Sequence, residues 1–272
     1  MTNPNRSTNW LAPSEAAFTR FEKRLMEHWD EVETIFSNLV QDLYENLPDF
    51  GQTVSIDGKI IETYAVKKPS DWKPTAKQLK DGRTDIDAKY TVKTRPLKNG
   101  TIKNYHFYGF RIHLLCDCQY ELPITFKVTP ANQSEQKVAK TMLSELPINV
   151  IERMKNFLAD AGYDDTALHE LLKSKSVLPF IDKRNTWKNP NQTRQYKDMD
   201  LIYDQKGRVF YVNDKGESVE LKYAGYDRTT DSQRYTFHPK YHDKRVFRMK
   251  CSEDLRIFTP VARTSKKYKR IY

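Results

Sequence analysis

The sequence predicts an α/β fold: a mixed sheet flanked by helices, preceded by a helical N-terminal segment and interrupted by a β-rich basic insertion. Three observations predict it. Apolar residues recur at three- and four-residue steps in residues 13–50. Strand-like and helical runs alternate from Gly51 to Asp182, which implies parallel neighbours joined by crossover helices. Beyond Asp182 the period becomes irregular, and Lys and Arg interleave with aromatic residues. The expected divisions are 1–50, 51–182 and 183–272.

In the first segment, Phe18, Phe21, Leu25, Trp29, Val32, Phe36, Leu39 and Leu43 mark one helical face, read as a packing face. Ser14 is the N-cap and Pro48 the terminator of one or two helices. From Gly51, "TVSID" is a short strand ending on Asp57, Gly58 follows, and "KIIETYA" begins another extended run. Residues 66–104 read as a long basic loop, and loops of such length inside a domain tend to be functional. "YHFYGFRIHLLCD" and "ELPITFKVT" form a hairpin across "CQY". "SEQKVAKTMLSEL" is a helix opened by Ser134; "NFLAD", "DDTALHELLKSK" and "VLPFI" read strand, helix, strand. "GRVFYVNDKGESVELKY" is a hairpin turning near Asp214–Gly216.

A chain of 272 residues can bury a substantial core, and 12% aromatic content is too high for a disordered one. No apolar run reaches membrane-spanning length and the N-terminus lacks a signal pattern, which predicts a soluble cytoplasmic protein. Three cysteines build no disulfide framework. The charge is unevenly placed: net −5 over 1–50, +6 over 51–110, −2 over 111–182 and +11 over 183–272. Two basic blocks around a nearly neutral middle suit a polyanion; a solvated basic surface is the plain alternative. The cations singled out for nucleic acid are Lys67, Lys68, Lys73, Lys93 and Arg95 in the loop region. In the insertion they are Lys183, Arg184, Lys188, Arg194, Lys244 and Arg245, interleaved with Trp187, Tyr196, Tyr241 and Phe247 as candidates for base stacking.

Asp57 and Asp160 share a setting: a short apolar strand, the acid at its C-terminal tip, then a small residue. Sites in open α/β sheets form outside such strand ends, and two converging carboxylates share a proton or hold a divalent cation. The other reading makes Asp160 a helix cap and Asp57 part of an Asp-Gly turn, and spacing alone favours it. Asp164 and Asp165 read as helix N-terminal acids. His113, Cys116 and Cys118 fall on opposite faces of a strand, which argues against zinc, and "HPKYH" reads as a loop.

"VSIDGK", "DIDAKYTVKT", "YHFYGFRIHLLCD", "LPITFKVTPANQSE" and "FLADAGYDD" occur in an order that resembles the insertion-sequence transposases of the DDE superfamily, over nearly the whole chain. The resemblance implies an RNase H-like core in which Asp57 and Asp160 hold two Mg²⁺ or Mn²⁺ ions. It implies cleavage and transfer of double-stranded DNA at transposon terminal repeats, using water and then a 3′ hydroxyl as nucleophile, with target DNA as a second partner. A homodimer and a nucleoid-associated place in a prokaryotic cytoplasm are carried as expectations. His113 matches a family His near the active site, with a structural role as the alternative. The family's third acid is a Glu in Y-x2-R-x3-E. Tyr268 does not begin that signature, because Ile271 stands where Arg is required; Tyr272 fits it, and no Glu in the sequence can be assigned. The expectation is therefore a transposase cut short before its third carboxylate, inactive for that reason, with a DNA-binding remnant as the alternative function. The sequence is also similar to haloacid-dehalogenase phosphatases around Asp57, but these need an acid where Lys59 stands.

Overall fold

The computed structural model describes residues 13–69, 71–81, 85–97, 99–189 and 191–272; the reading of the extreme N-terminus lies outside them, as do parts of the 66–104 loop. The chain divides into two compact units, Met1–Pro48 and Asp49–Tyr272. In the first, α1 (Glu15–Glu27) and α2 (Trp29–Asn46) break at His28, whose N–H donates to the Arg24 and Leu25 carbonyls. Ser14 caps α1 as expected, accepting from the Ala17 N–H. The aromatic stripe is not a closed packing face: Phe18, Phe21, Trp29 and Leu39 are all exposed.

The second unit opens with β1 (Thr53–Glu62), a short α3 (Ala76–Asp81), β2 (Lys89–Pro96), β3 (Ile102–Asp117) and β4 (Pro123–Pro130). There follow α4 (Glu135–Glu145), α5 (Ile148–Arg153), β5 (Asn156–Ala159), α6 (Thr166–Ser174) and β6 (Leu178–Ile181). The strands form the expected RNase H-like mixed sheet, in the order β2-β3-β1-β5-β6. The long β3 takes β2 along its first half and β4 along its second. β1 runs antiparallel to β3 and parallel to β5, and β5 is parallel to β6. The core gathers Val54, Ile56, Leu115, Phe157, Leu168, Leu172 and Phe180, with Val138, Ala139, Met142 and Leu143 from α4.

Two expectations fail here. β1 does not end at Asp57: Asp57 pairs with Leu114 and Gly58 with His113, in a ladder unbroken from Val54 to Glu62. The hydrogen bonds of a ladder that continues along β3 outweigh the turn preference of Asp-Gly. Residues 66–104 are not all loop, because Lys89–Pro96 pairs with Lys103–Gly109 and Ile102 as a hairpin. Lys and Arg replace apolar residues along β2, so the period-two signal was faint.

The insertion is β-rich. β7 (Thr193–Gln195), β8 (Leu201–Asp204), β9 (Val209–Val212) and β10 (Ser218–Glu220) form one antiparallel sheet. β11 (Lys222–Asp227), β12 (Ser232–Thr236) and β13 (Val246–Lys250) form another. The predicted hairpin is β9–β10, its turn closed by Asn213, whose side-chain oxygen accepts from the Lys215 and Glu217 N–H groups. "HPKYH" holds a single 3-10 turn at Pro239–Tyr241, not an open loop, since His238 caps it. Trp187 and Tyr196 are buried in the insertion's own core with Leu201, Tyr203, Val209 and Phe258, so they are not free to stack on bases. Last comes α7 (Lys266–Ile271), capped by Ser265 and packed through Tyr268 on Phe180, with ring centroids 5.5 Å apart.

Candidate active site

The parallel ladder between β1 and β5 runs from Thr53↔Asn156 to Ile56↔Ala159. Asp57 and Asp160 are the next residue on each side. Side chains alternate along strands, so the buried Ile56 and Ala159 point one way and the two exposed aspartates the other. Register therefore brings together the two acids that the sequence singled out. Asp57 Oδ1 accepts from the Gly58 N–H at 2.7 Å, and Asp160 Oδ1 accepts from the Gly162 N–H at 2.8 Å. The capping expectation holds for Asp160, which opens the 3-10 turn Ala161–Tyr163. The second oxygen of each has no hydrogen-bond partner among the described residues, which leaves one carboxylate oxygen per residue for a cation. Oxygen donors of this kind suit Mg²⁺ or Mn²⁺. No group of three His, Cys, Asp or Glu side chains stands at metal-ligand distances among the described residues.

Two residues missed in the sequence complete the surroundings. Glu135, the first residue of α4, pairs with Arg111 of β3 at 2.6 Å, and the Arg111 side chain is buried. A Cβ built on Gly162 would lie 2.6 Å from Glu135 Oε2 and 2.8 Å from Asp160 Oδ1, so only glycine lets the two carboxylates close on that turn. Gly58 is hemmed in likewise, by Arg111 Cδ at 3.2 Å and the Tyr163 hydroxyl at 3.3 Å. That hydroxyl is buried without a hydrogen-bond partner, and burial, then the charges of Glu135, Asp57 and Asp160, push its pKa up. The acid opening a helix directly after β4 was the available signal for Glu135; nothing local marked Arg111.

His113 lies opposite Gly58 on β3, fully buried, with Nε2 3.2 Å from the Thr129 hydroxyl. Burial, then the Arg111 charge, lower its pKa to about 4 against the pull of Asp57, so the ring is neutral at pH 7. Asp164 is not a helix-dipole acid. Asp165 caps α6, accepting from the Leu168 N–H, while Asp164 is buried. It receives the Arg184 N–H at 2.9 Å, Arg256 at 2.7 Å and Lys183 at 3.3 Å, with His169 Nε2 at 3.4 Å. Burial pushes its carboxyl up, but these donors together hold it well below the usual carboxylate range. Arg263 then ties the insertion's return to β6, donating to the Ile181 and Arg256 carbonyls. The Tyr272 pKa is raised by burial, then by Asp182, Tyr268 and Asp160.

The basic residues named from the sequence lie on several surfaces. Lys67 stands 4.2 Å over the Tyr90 ring, Lys68 5.1 Å over Trp72 and Arg95 6.0 Å over Tyr105. Lys73 is exposed and Lys93 half-buried on β2. Lys183 and Arg184 meet at Asp164, Lys188 is exposed, and Arg194 stacks 4.2 Å over Trp187. Lys244 is exposed, whereas Arg245 is bound to Asp243 and lies over the Tyr211 ring at 4.6 Å. No helix among the described residues is long and apolar enough to cross a membrane.

A search of curated proteins gives no match. Among solved structures, the chain is similar to a piggyBac transposase in a synaptic complex with hairpin DNA, at 14% identity and a TM-score of 0.32. That similarity covers 66% of this chain and 35% of the other, so the chain spans about a third of that protein's length. The family described as the transposase DDE domain matches residues 49–235, the stretch that carries β1, β5, Asp57 and Asp160. With more than half of its length matched, the chain belongs to the transposase DDE domain family.

Proposed function

We propose that Asp57 and Asp160 are the metal ligands of a site for metal-dependent cleavage and transfer of DNA strands at transposon ends, and that cleavage by this chain is feeble because no Glu in it is assigned as the third carboxylate. The adjacent placement of these two acids, just past the β1–β5 ladder and each with one oxygen unengaged, carries the reading. A bound divalent cation would polarise the phosphodiester and lower the pKa of a water molecule. The chain's own residues do the rest. Arg111 is occupied by Glu135 and so does not neutralise the aspartates, and the neutral His113 adds no competing charge. The Tyr163 hydroxyl stays protonated and can donate a hydrogen bond to an aspartate or a phosphate oxygen.

Two ions, terminal repeats and target DNA as partners, a homodimer and a cytoplasmic, nucleoid-associated setting belong to the same proposal, on the family's account. So does the assignment of Lys67, Lys68, Lys73, Lys93, Arg95, Lys183, Arg184, Lys188, Arg194, Lys244 and Arg245 to phosphate contacts. A DNA-binding protein without catalysis is the second reading, favoured by the lack of a three-ligand group among the described residues.

Calorimetric titration of Mn²⁺ separates the parts of this proposal. Asp57→Ala and Asp160→Ala should each weaken binding by at least about tenfold, the scale seen for lost metal-site groups. Nicking of transposon-end duplex in Mg²⁺ should vanish in Asp57→Ala while DNA affinity is kept. Wild-type chain that binds DNA but neither nicks it nor takes up Mn²⁺ would establish the second reading instead.

A further inference from the structure

The start of α4 is fastened to the turn that carries Asp160. Gln136 donates to the Gly162 carbonyl, and Lys140 pairs with Asp165, just past that turn, at 2.9 Å. These contacts bring the Glu135 carboxylate against the acid pair. The place a Cβ on Gly162 would take lies 2.6 Å from Glu135 Oε2 and 2.8 Å from Asp160 Oδ1. The other oxygen, Oε1, is held by Arg111 at 2.6 Å and stands 3.4 Å from the corresponding place at Gly58, the neighbour of Asp57. A second group points into the same space. Tyr163 is 1% exposed, and its hydroxyl, 3.3 Å from that place at Gly58, has no hydrogen-bond partner among the described residues.

Neighbouring carboxylates disfavour one another's charge unless a cation offsets it, and Arg111 is already taken up by Glu135. Arg111, Glu135 and Gly162 also line an open cavity of about 340 Å³, room for several water molecules at about 30 Å³ each. Mg²⁺ is held by one or two carboxylates and keeps several waters, so a further acid beside the pair can act on the cation without ligating it. No three acids stand at ligand distance among the described residues, which suits that role. We infer that Glu135 is a positioning residue for the divalent cation of Asp57 and Asp160. Arg111 fixes its orientation, and Oε2 accepts hydrogen bonds from the water around the cation. This rests on the metal-site reading above. Glu135 precedes Asp160 in the chain and opens α4, so it is not the Glu that the family carries on a later helix and does not make good its absence.

The test is calorimetric titration of Mn²⁺ into the whole chain without DNA. In Glu135→Gln the amide carbonyl still answers Arg111, but the NH₂ that replaces Oε2 cannot accept. Mn²⁺ binding should weaken by roughly tenfold or more, the scale seen for groups that act through a metal's ligands. Glu135→Asp should regain part of the loss. Because Glu135→Gln also leaves the Arg111 charge uncompensated, R111Q/E135Q separates the two causes: it restores the net charge of the site and should remain weak. A double variant with wild-type affinity means that Glu135 only neutralises Arg111, and overturns the inference. So does a Glu135→Gln chain that binds like wild type. A wild type that takes up no Mn²⁺ overturns the metal-site reading itself, and the inference with it. Carbon-13 NMR of wild-type chain labelled at its carboxyl groups does not depend on how a variant folds. Mg²⁺ should shift the Glu135 signal along with those of Asp57 and Asp160; shifts in the two aspartates with Glu135 unmoved count against its role.

Discussion

Asp164 shows how much one side chain can hold together. Its side chain has 0% exposure, and donors reach it from β6's outgoing chain (Lys183, Arg184) and from the insertion's return (Arg256), with His169 of α6 3.4 Å from its other oxygen. Removing one partner from a buried ion pair leaves the others uncompensated, at a cost of about 3–5 kcal/mol. Asp164→Ala should lower unfolding stability by that order, measured by urea titration. The carboxyl's pKa in the folded chain lies below its unfolded value of about 3.9. Its contribution is therefore complete above roughly pH 4 and is lost as pH falls through the folded value. Urea midpoints measured downward from neutral pH should drop in wild type below that point and drop less in Asp164→Asn. The sequence showed two acids before a helix but not their separate roles, because Lys183, Arg184 and Arg256 arrive from distant parts of the chain.

Among the elements, β3 does the most to organise the sheet. At Gly109 it meets both the last residue of β1's ladder, Glu62, and the first of β2's, Lys89. A Cβ there would lie 2.2 Å from the Ile61 carbonyl oxygen, a backbone atom that has nowhere to go. Gly109→Ala should destabilise the unit by about 1–3 kcal/mol or more, as overpacking does, and hydrogen exchange should quicken in Thr91–Arg95 and Ile60–Glu62. β3, β4, α4, α6 and the β9–β10 hairpin were legible because each carries its own period, cap or turn residue. Ser134 accepting from the Lys137 N–H is one such cap. The continuity of β1 and the existence of β2 were not, because both depend on a partner strand.

For the whole molecule, the uneven charge is the feature that sequence alone displayed and the fold distributes. Basic residues gather on the β2 region, on the insertion and in a cleft at the start of β5 and β6, while the acids Asp57 and Asp160 sit just past the other end of the β1–β5 ladder. Binding that engages six to ten phosphates loses about 10³–10⁵ in affinity between roughly 50 and 200 mM salt. Fluorescence anisotropy with duplex DNA should show a loss of that order for this chain; a flat salt response would mean that the basic surface is only solvated. By itself the sequence determined the α/β class, the main helices and strands and the basic blocks, and it singled out Asp57 and Asp160, since these are written in local period, composition and motif. Only the tertiary structure decided that Asp57 lies within a strand and beside Asp160, that Glu135 is held by Arg111, and that Asp164 is a buried hub. Each of those depends on strand register or on charges brought from far along the chain, and neither is encoded in the residues next door.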